Sequence, residues 1–197
     1  MLLIGGNSGL VLNVSSTWVP PFQITALSMA SCNLGPSFPT WLRSQKEVFL
    51  LDLSNASISG SIPKWFWNIS FNLEWLDLSD NQLQGQLPNS LKFHSGAYIE
   101  LEIDFSYNLF EGPIPFSIKG VYLLDLSHNK FSGPIPLSRG ESMLDLNYLF
   151  LSENQIIGTI PDSIGHITSL QVIDFSRNNL TGSIPYTINN CFSLIVL

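Results

Sequence analysis

Leu124 to Pro136 reads LDLSHNKFSGPIP, and six other stretches of the chain follow the same template. They are Leu27 to Pro39 (LSMASCNLGPSFP), Leu51 to Pro63 (LDLSNASISGSIP), Leu76 to Pro88 (LDLSDNQLQGQLP), Ile103 to Pro115 (IDFSYNLFEGPIP), Leu149 to Pro161 (LFLSENQIIGTIP) and Ile173 to Pro185 (IDFSRNNLTGSIP). The sixth position is Cys32, Ala56, Asn81, Asn108, Asn129, Asn154 and Asn178 in turn, so the spacings are 24, 25, 27, 21, 25 and 24 residues. Self-similarity at such a period is the signature of supersecondary units that stack into a solenoid.

Each position of the template has a physical task. The alternation in Leu76-Asp77-Leu78-Ser79 predicts a short strand with its leucines in the core and Asp and Ser pointing out. Asn at the sixth position sits where the chain leaves the strand, and its amide bonds backbone groups that would otherwise be buried unpaired. Cys32, Asn81, Asn108, Asn129, Asn154 and Asn178 form this ladder, whereas Ala56 has no polar side chain and predicts a locally weaker rung or a bridging water. The Gly-x-Ile-Pro half supplies a bend and then an extended segment. A short helical or 3₁₀ turn carrying Ile164, Ile167 and Leu170 then closes the coil. One coil cannot bury its own apolar edge, so Phe38, Ile62, Leu87, Ile114, Ile135, Ile160 and Ile184 are expected to form a buried column through the stack.

Composition narrows the function. The chain has 197 residues, 45% of them hydrophobic and only 12% charged, with 8 Lys and Arg against 15 Asp and Glu and a net charge of -7. Nucleic-acid binding needs a basic stripe, which this balance does not supply. No apolar run reaches the length of a membrane span, and Met1 to Gly6 has no basic region of the kind that opens a signal peptide. Cys32 and Cys191 make no disulfide framework, and Cys191 aligns with Ile167 as a small buried hydrophobe. His94, His128 and His166 fall at irregular spacings, without a metal-ligand pattern. An enzyme would need a convergent nucleophile and base or a metal cluster. The sequence points to neither and to no cofactor, so a binding protein is expected.

The spacings fall in the window of leucine-rich repeats, and LxLSxNxLxGxIPxxI resembles their plant-specific class. The implied fold is an α/β repeat: a right-handed, curved leucine-rich-repeat solenoid with short parallel strands on the concave face and 3₁₀ or short helical turns on the convex face. Residues 1–23 are expected to be the end of a preceding degenerate coil, 24–193 seven coils, and 194–197 the start of a truncated next coil. Leu12 to Phe22 (LNVSSTWVPPF), Ser31 to Leu42 (SCNLGPSFPTWL) and Ser54 to Trp67 (SNASISGSIPKWFW) resemble disease-resistance-type receptor-like proteins related to the fungal-xylanase receptor. The resemblance implies an internal piece of the ectodomain of a plant receptor-like protein or receptor-like kinase on the outer side of the plasma membrane. It would act in defence or development with a protein or peptide ligand and a leucine-rich-repeat kinase co-receptor. A secreted polygalacturonase-inhibitor-like protein and a non-functional truncated paralogue are the alternatives. The missing caps and the missing membrane span in this chain suggest a fragment whose ends expose apolar surface.

In this architecture the outward strand positions form one recognition surface. The column between the core leucines reads Ser28, Asp52, Asp77, Asp104, Asp125, Phe150 and Asp174; its aspartates belong to the repeat consensus, and Phe150 breaks the run. The column before the ladder residue reads Ser31, Asn55, Asp80, Tyr107, His128, Glu153 and Arg177, differing in every coil. Phe49, Glu74, Trp75, Glu102, Tyr122, Tyr148 and Gln171 precede the first core leucines. Trp and Tyr offer contact area at low entropic cost. Trp75, Tyr107, Tyr122, Tyr148, Phe150 and Arg177 are therefore the candidate contact face. Four N-x-Ser/Thr sequons, at Asn13, Asn55, Asn68 and Asn179, are candidate glycosylation sites, with Asn13 and Asn68 the better placed. Phe66 is expected in the core with Trp65 and Trp67 on the convex side. The 27-residue coil through Lys92 to Glu100 and the 21-residue coil through Lys119 and Gly120 mark where coil shape departs from regular.

Overall fold

Alternating apolar and polar residues can bury one row only if the strands lie side by side, and the chain does this eight times. In the computed structural model, which describes residues 1–15, 17–91, 93, 100–115, 117–118, 120–136 and 144–195, these strands are all parallel and neighbour one another in chain order. They are Leu2–Leu3, Ala26–Ser28, Leu50–Asp52, Trp75–Asp77, Leu101–Asp104, Val121–Asp125, Tyr148–Phe150 and Val172–Asp174. Leu51, Leu76, Ile103, Leu124, Leu149 and Ile173 occupy equivalent register positions and are all buried. Lys92, His94 and Lys119 lie outside the described residues.

The ladder works in both directions. Asn81 Nδ2 donates to the carbonyls of Leu78 at 3.1 Å and Ser79 at 2.9 Å in its own coil and to that of Leu53 at 2.9 Å in the preceding one. Its Oδ1 accepts the Ile58 N–H of the preceding coil at 2.9 Å. Asn108, Asn129, Asn154 and Asn178 repeat the arrangement. Cys32 substitutes with its thiol, which donates to the Ile4 carbonyl at 3.3 Å. The stack also begins earlier than a coil ending would. Leu2 and Leu3 already pair with Leu27 and Ser28, and Asn7 Nδ2 donates to the Ile4 carbonyl at 2.7 Å as a first rung. Its signal was present in the sequence, since Leu2-Leu3-Ile4 stands one 25-residue period before Leu27-Ser28-Met29.

Ala56 corrects the expectation of a weaker rung. The Leu34 and Gly35 N–H groups both donate to the Ala56 carbonyl at 3.1 Å, so main chain does there what an amide oxygen does elsewhere. This needs close approach, and Gly35 allows it: a Cβ at that position would stand 1.7 Å from the Ser57 carbonyl oxygen. The carbonyls that an asparagine at 56 would have bonded each hold one donor. Met29 O accepts from the Cys32 N–H, Leu53 O from Asn81 Nδ2 and Ser54 O from the Ser31 N–H.

The strand serines depart from expectation too. Ser79, Ser106, Ser127 and Ser152 are buried rather than outward. The Ser79 N–H and hydroxyl both donate to Asp77 Oδ1, at 2.9 and 2.6 Å, and the N–H of Ser54, Ser106, Ser127 and Ser176 bonds the aspartate two residues before it in the same way. The aspartate column is thus part of the fold, a cap that turns the chain out of each strand.

Beyond the ladder a second parallel sheet of six strands runs Ser59–Gly60, Gln82–Gly85, Leu109–Gly112, Lys130–Gly133, Gln155–Gly158 and Asn179–Leu180. The first five end on a glycine of positive φ and the last stops two residues short of one, Gly182, where the chain bends toward the proline. The coils then close with 3₁₀ turns at Thr40–Ser44, Asp162–His166 and Tyr186–Asn190 and with a helical turn Phe66–Ile69 running into Ser70–Asn72. Among the described residues two coils close with strands instead: Ser90–Leu91 and Ser117–Ile118 pair in parallel. Ser117–Ile118 falls in the 21-residue coil, which has too little chain for a helical turn, and extended backbone spans more distance per residue; Ser90–Leu91, in the 27-residue coil, is its pairing partner. The expected column is buried at Phe38, Leu87, Ile114 and Ile135 and half-buried at Ile62 and Ile160, but Ile184 is 55% exposed, because no complete described coil stacks upon it. Ile164, Ile167, Leu170 and Cys191 are buried, and burial pushes the Cys191 thiol above its usual range. Phe66 is fully buried, while Trp65 and Trp67 are half-buried around it, Trp67 reaching the ring of Phe105 at 6.5 Å. No helix among the described residues is long and apolar enough to cross a membrane.

Candidate ligand-recognition face

Three outward columns run across the eight-stranded face, and the backbone holds each differently. The residues before the ladder position all lie in the left-handed region: Ser31 at φ 57°, Asn55 50°, Asp80 54°, Tyr107 51°, His128 53°, Glu153 55° and Arg177 53°. Glycine would adopt this geometry without cost, and the first coil uses one, Gly6 at φ 78°, yet the seven coils that follow place a side chain here. The geometry aims these groups away from the ladder turn. Tyr107 is 51% exposed and stacks on the His128 ring of the next coil at 3.9 Å and 12°. Glu153 and Arg177 form the next pair in the column, an ion pair.

The column before the first core leucine carries the other aromatics. Trp75 is 41% exposed and lies in register with Glu102. Tyr122 and Tyr148 come together edge to face at 5.3 Å and 63°. The Tyr148 hydroxyl donates to Gln171 Oε1 at 3.0 Å, and Gln171 Nε2 donates to Asn147 Oδ1 at 3.0 Å, so Tyr148 is held by a relay. Asn147 and Gln171 are supports that the sequence did not single out; Gln171 stood in the right column, but nothing local marked its partner. Trp75 lies three strands from Tyr148, roughly 14 Å at ordinary strand spacing, so it forms a separate end of the face. Phe150 is half-buried in register between Asp125 and Asp174.

Electrostatics set this face apart. Burial, opposed by bonds from the neighbouring serine and aided by adjacent aspartates, holds the carboxyls of Asp77 and Asp104 above their usual range. Burial does the same at Asp125, where the nearby His128 works against it. Burial also disfavours the charged form of Asp174, but the bonds from Ser176 and Ser152 and the charge of Arg177 outweigh it and its carboxyl is lowered. Among the described residues no group of three or more His, Cys, Asp or Glu side chains is placed to hold a metal ion. A cleft of about 540 Å³ lies elsewhere, among Arg43, Lys46, Trp65, Asn68, Ile69, Phe71 and Asn72 on the opposite, turn-bearing side. A flat strand face suits an extended macromolecular contact better than a small ligand, which prefers an enclosed site. The four sequon asparagines are all exposed; Asn55 Nδ2 donates to Ser31 Oγ at 3.1 Å, and Asn13 and Asn68 stand clear of the strand face.

With this architecture in place, the class is settled: the chain belongs to the leucine-rich repeat family, whose model, described as Leucine Rich Repeat, matches residues 49–69, 72–93, 120–139, 145–167 and 169–191. More particularly, its repeats are those of plant receptor-like proteins. It is 44% identical over 108 residues to Receptor-like protein EIX1 of Solanum lycopersicum, covering 55% of this chain and 10% of that protein. With Receptor-like protein EIX2 of the same plant it shares 35% identity over 165 residues, 84% of this chain and 16% of the relative. The chain therefore spans less than a fifth of the length of these relatives. Its fold is similar to that of the Arabidopsis receptor kinase HAESA in complex with the peptide hormone IDA and the co-receptor SERK1, with a TM-score of 0.73, 33% identity, and coverage of 87% of this chain and 28% of that one.

Proposed function

We propose that this chain is a ligand-recognition segment of a plant cell-surface receptor, binding a protein or peptide on the eight-stranded face. The observation that carries the reading is the row of aromatics on that face, Trp75 and Tyr107 exposed and Tyr122 and Tyr148 half-buried, in positions where the fold itself requires no aromatic ring. Phe150 and Arg177 complete the contact set. The similarity to a receptor kinase crystallised with a peptide hormone and a co-receptor supports a peptide ligand and a co-receptor kinase as partners here. Binding rather than catalysis is the role, and the outer side of the plasma membrane is its place. Asn13 and Asn68 are the glycosylated positions; loss of the mobility shift on enzymatic deglycosylation in the doubly substituted Asn→Gln protein tests this.

The recognition reading is tested by panning a displayed random-peptide library on the immobilised chain, then measuring the recovered binders on the Trp75→Ala/Tyr148→Ala double variant. A loss of at least about tenfold is expected from removing two aromatic anchors. Unchanged capture overturns the reading.

A further inference from the structure

The strand Val121–Asp125 contains an irregularity at the centre of the recognition face. Val121 pairs with Leu101 and Leu123 with the next residue, Glu102, so Tyr122 is an extra residue opposite no partner. Such a bulge re-aims a side chain, and here it brings the Tyr122 ring onto Tyr148, itself fixed through Gln171 and Asn147. Glu100 and Glu102 carry their charges beside the same ring. Glu102 is partly desolvated and also feels the repulsion of Glu100, so its carboxyl is raised. The two like charges persist side by side without a basic partner among the described residues, whose one ion pair is Glu153 with Arg177. On the other flank of Glu102 stands Trp75. Two carboxylates walled by aromatic rings match an ammonium or guanidinium group, which gains from both the charge and the negative ring faces.

We infer that the face takes an extended peptide bearing lysine or arginine, one of whose cationic side chains lies over Tyr122 and Tyr148 against Glu100 and Glu102. This rests on the recognition reading and names its ligand class. Charge complementarity across the face favours it. The aspartate column adds a negative background, while Arg43, Lys46 and Lys64 lie toward the turn-bearing side and Arg177 is engaged with Glu153.

The test uses the whole chain and two labelled ten-residue probes, one alternating Lys with Ser and one alternating Glu with Ser, followed by fluorescence polarisation at about 0.15 M salt. The lysine probe is expected to bind about tenfold or more tightly than the glutamate probe. Glu102→Gln and Tyr122→Ala should each weaken it about threefold to fivefold. Glu111→Gln, which removes the same charge from the lateral strand Leu109–Gly112, should leave it unchanged. Should Tyr122→Ala fail to fold, Tyr122→Leu keeps the bulk, lacks the ring, and must still weaken binding. Equal losses in Glu111→Gln and Glu102→Gln, or none in Glu102→Gln, overturn the inference as mere net charge. If the lysine probe does not bind while panned binders still depend on Trp75 and Tyr148, the cationic inference fails and the recognition reading stands. If the panned binders ignore that double variant, the recognition reading fails.

Discussion

Tyr107 combines two demands that ordinarily conflict. Its backbone, at φ 51°, is held where an L side chain is strained, and its ring stacks on His128 in the open. The fold needs the conformation and only the surface needs the ring. Two substitutions separate these demands. Tyr107→Ala loses the ring and keeps the strain, whereas Tyr107→Gly loses the ring and relieves it. The glycine variant should be the more stable of the two by about 1 kcal/mol in urea unfolding, a difference set by the left-handed backbone. Equal stabilities would show that the backbone is not strained there. Either variant is also a reagent for binding, since a change in stability can be told apart from a lost contact.

At the scale of the single coil, the pairing of Ala56 with Gly35 makes a sharp demand. Gly35→Ala forces a Cβ into the Ser57 carbonyl, and thermal or urea unfolding should show a loss of about 2–3 kcal/mol, the upper part of the overpacking range. Gly9→Ala, where a Cβ meets nothing within 4 Å, should change stability by no more than about 0.5 kcal/mol. Ala56→Asn, although it restores the consensus, should destabilise as well, because Ala56 is fully buried, leaving no room for a larger side chain, and the Leu34 N–H that its amide oxygen would accept is already bonded to the Ala56 carbonyl. A stabilised Ala56→Asn protein would contradict the occupied-rung account. These coils also show what a sequence makes legible. The ladder, the strands and the Gly-x-Ile-Pro bend could be read because each is fixed by residues a few positions apart. The substitute bonds at Ala56 depend on a glycine in the neighbouring coil, 21 positions away, and the bulge at Tyr122 depends on how a short coil meets a long one. The candidate residues were recognisable by column. Their grouping into a tyrosine pair, a tyrosine–histidine stack and an ion pair required the stacking distance between coils.

Across the whole molecule the aspartate column couples stability to pH. Asp77, Asp104 and Asp125 have folded carboxyls held above their unfolded values, so in the window between the two the folded chain binds more protons than the unfolded one. Their contribution is fully present below the unfolded value near 3.8 and is lost as pH rises through the raised folded values. Asp174, lowered instead, contributes in the opposite sense and fades as pH falls. With Asp77, Asp104, Asp125 and the likewise raised Glu102 against Asp174 alone, the melting temperature is expected to drop as pH climbs from about 4 toward 7, and Asp77→Asn should flatten that slope and raise the melting temperature at neutral pH. Melting temperatures that rise steadily over this range, or a slope untouched by Asp77→Asn, would refute it.

Each asparagine from Asn81 to Asn178 ties its own coil to the coil before it, which makes the chain a row of latches in series. Drawn out by its ends, such a molecule does not give way at once. It yields in steps, each tug releasing one latch and one coil of about 24 residues, roughly 80 Å of slack at the reach of an extended chain. A chain built this way can absorb strain at its ends while the rungs in its middle stay closed.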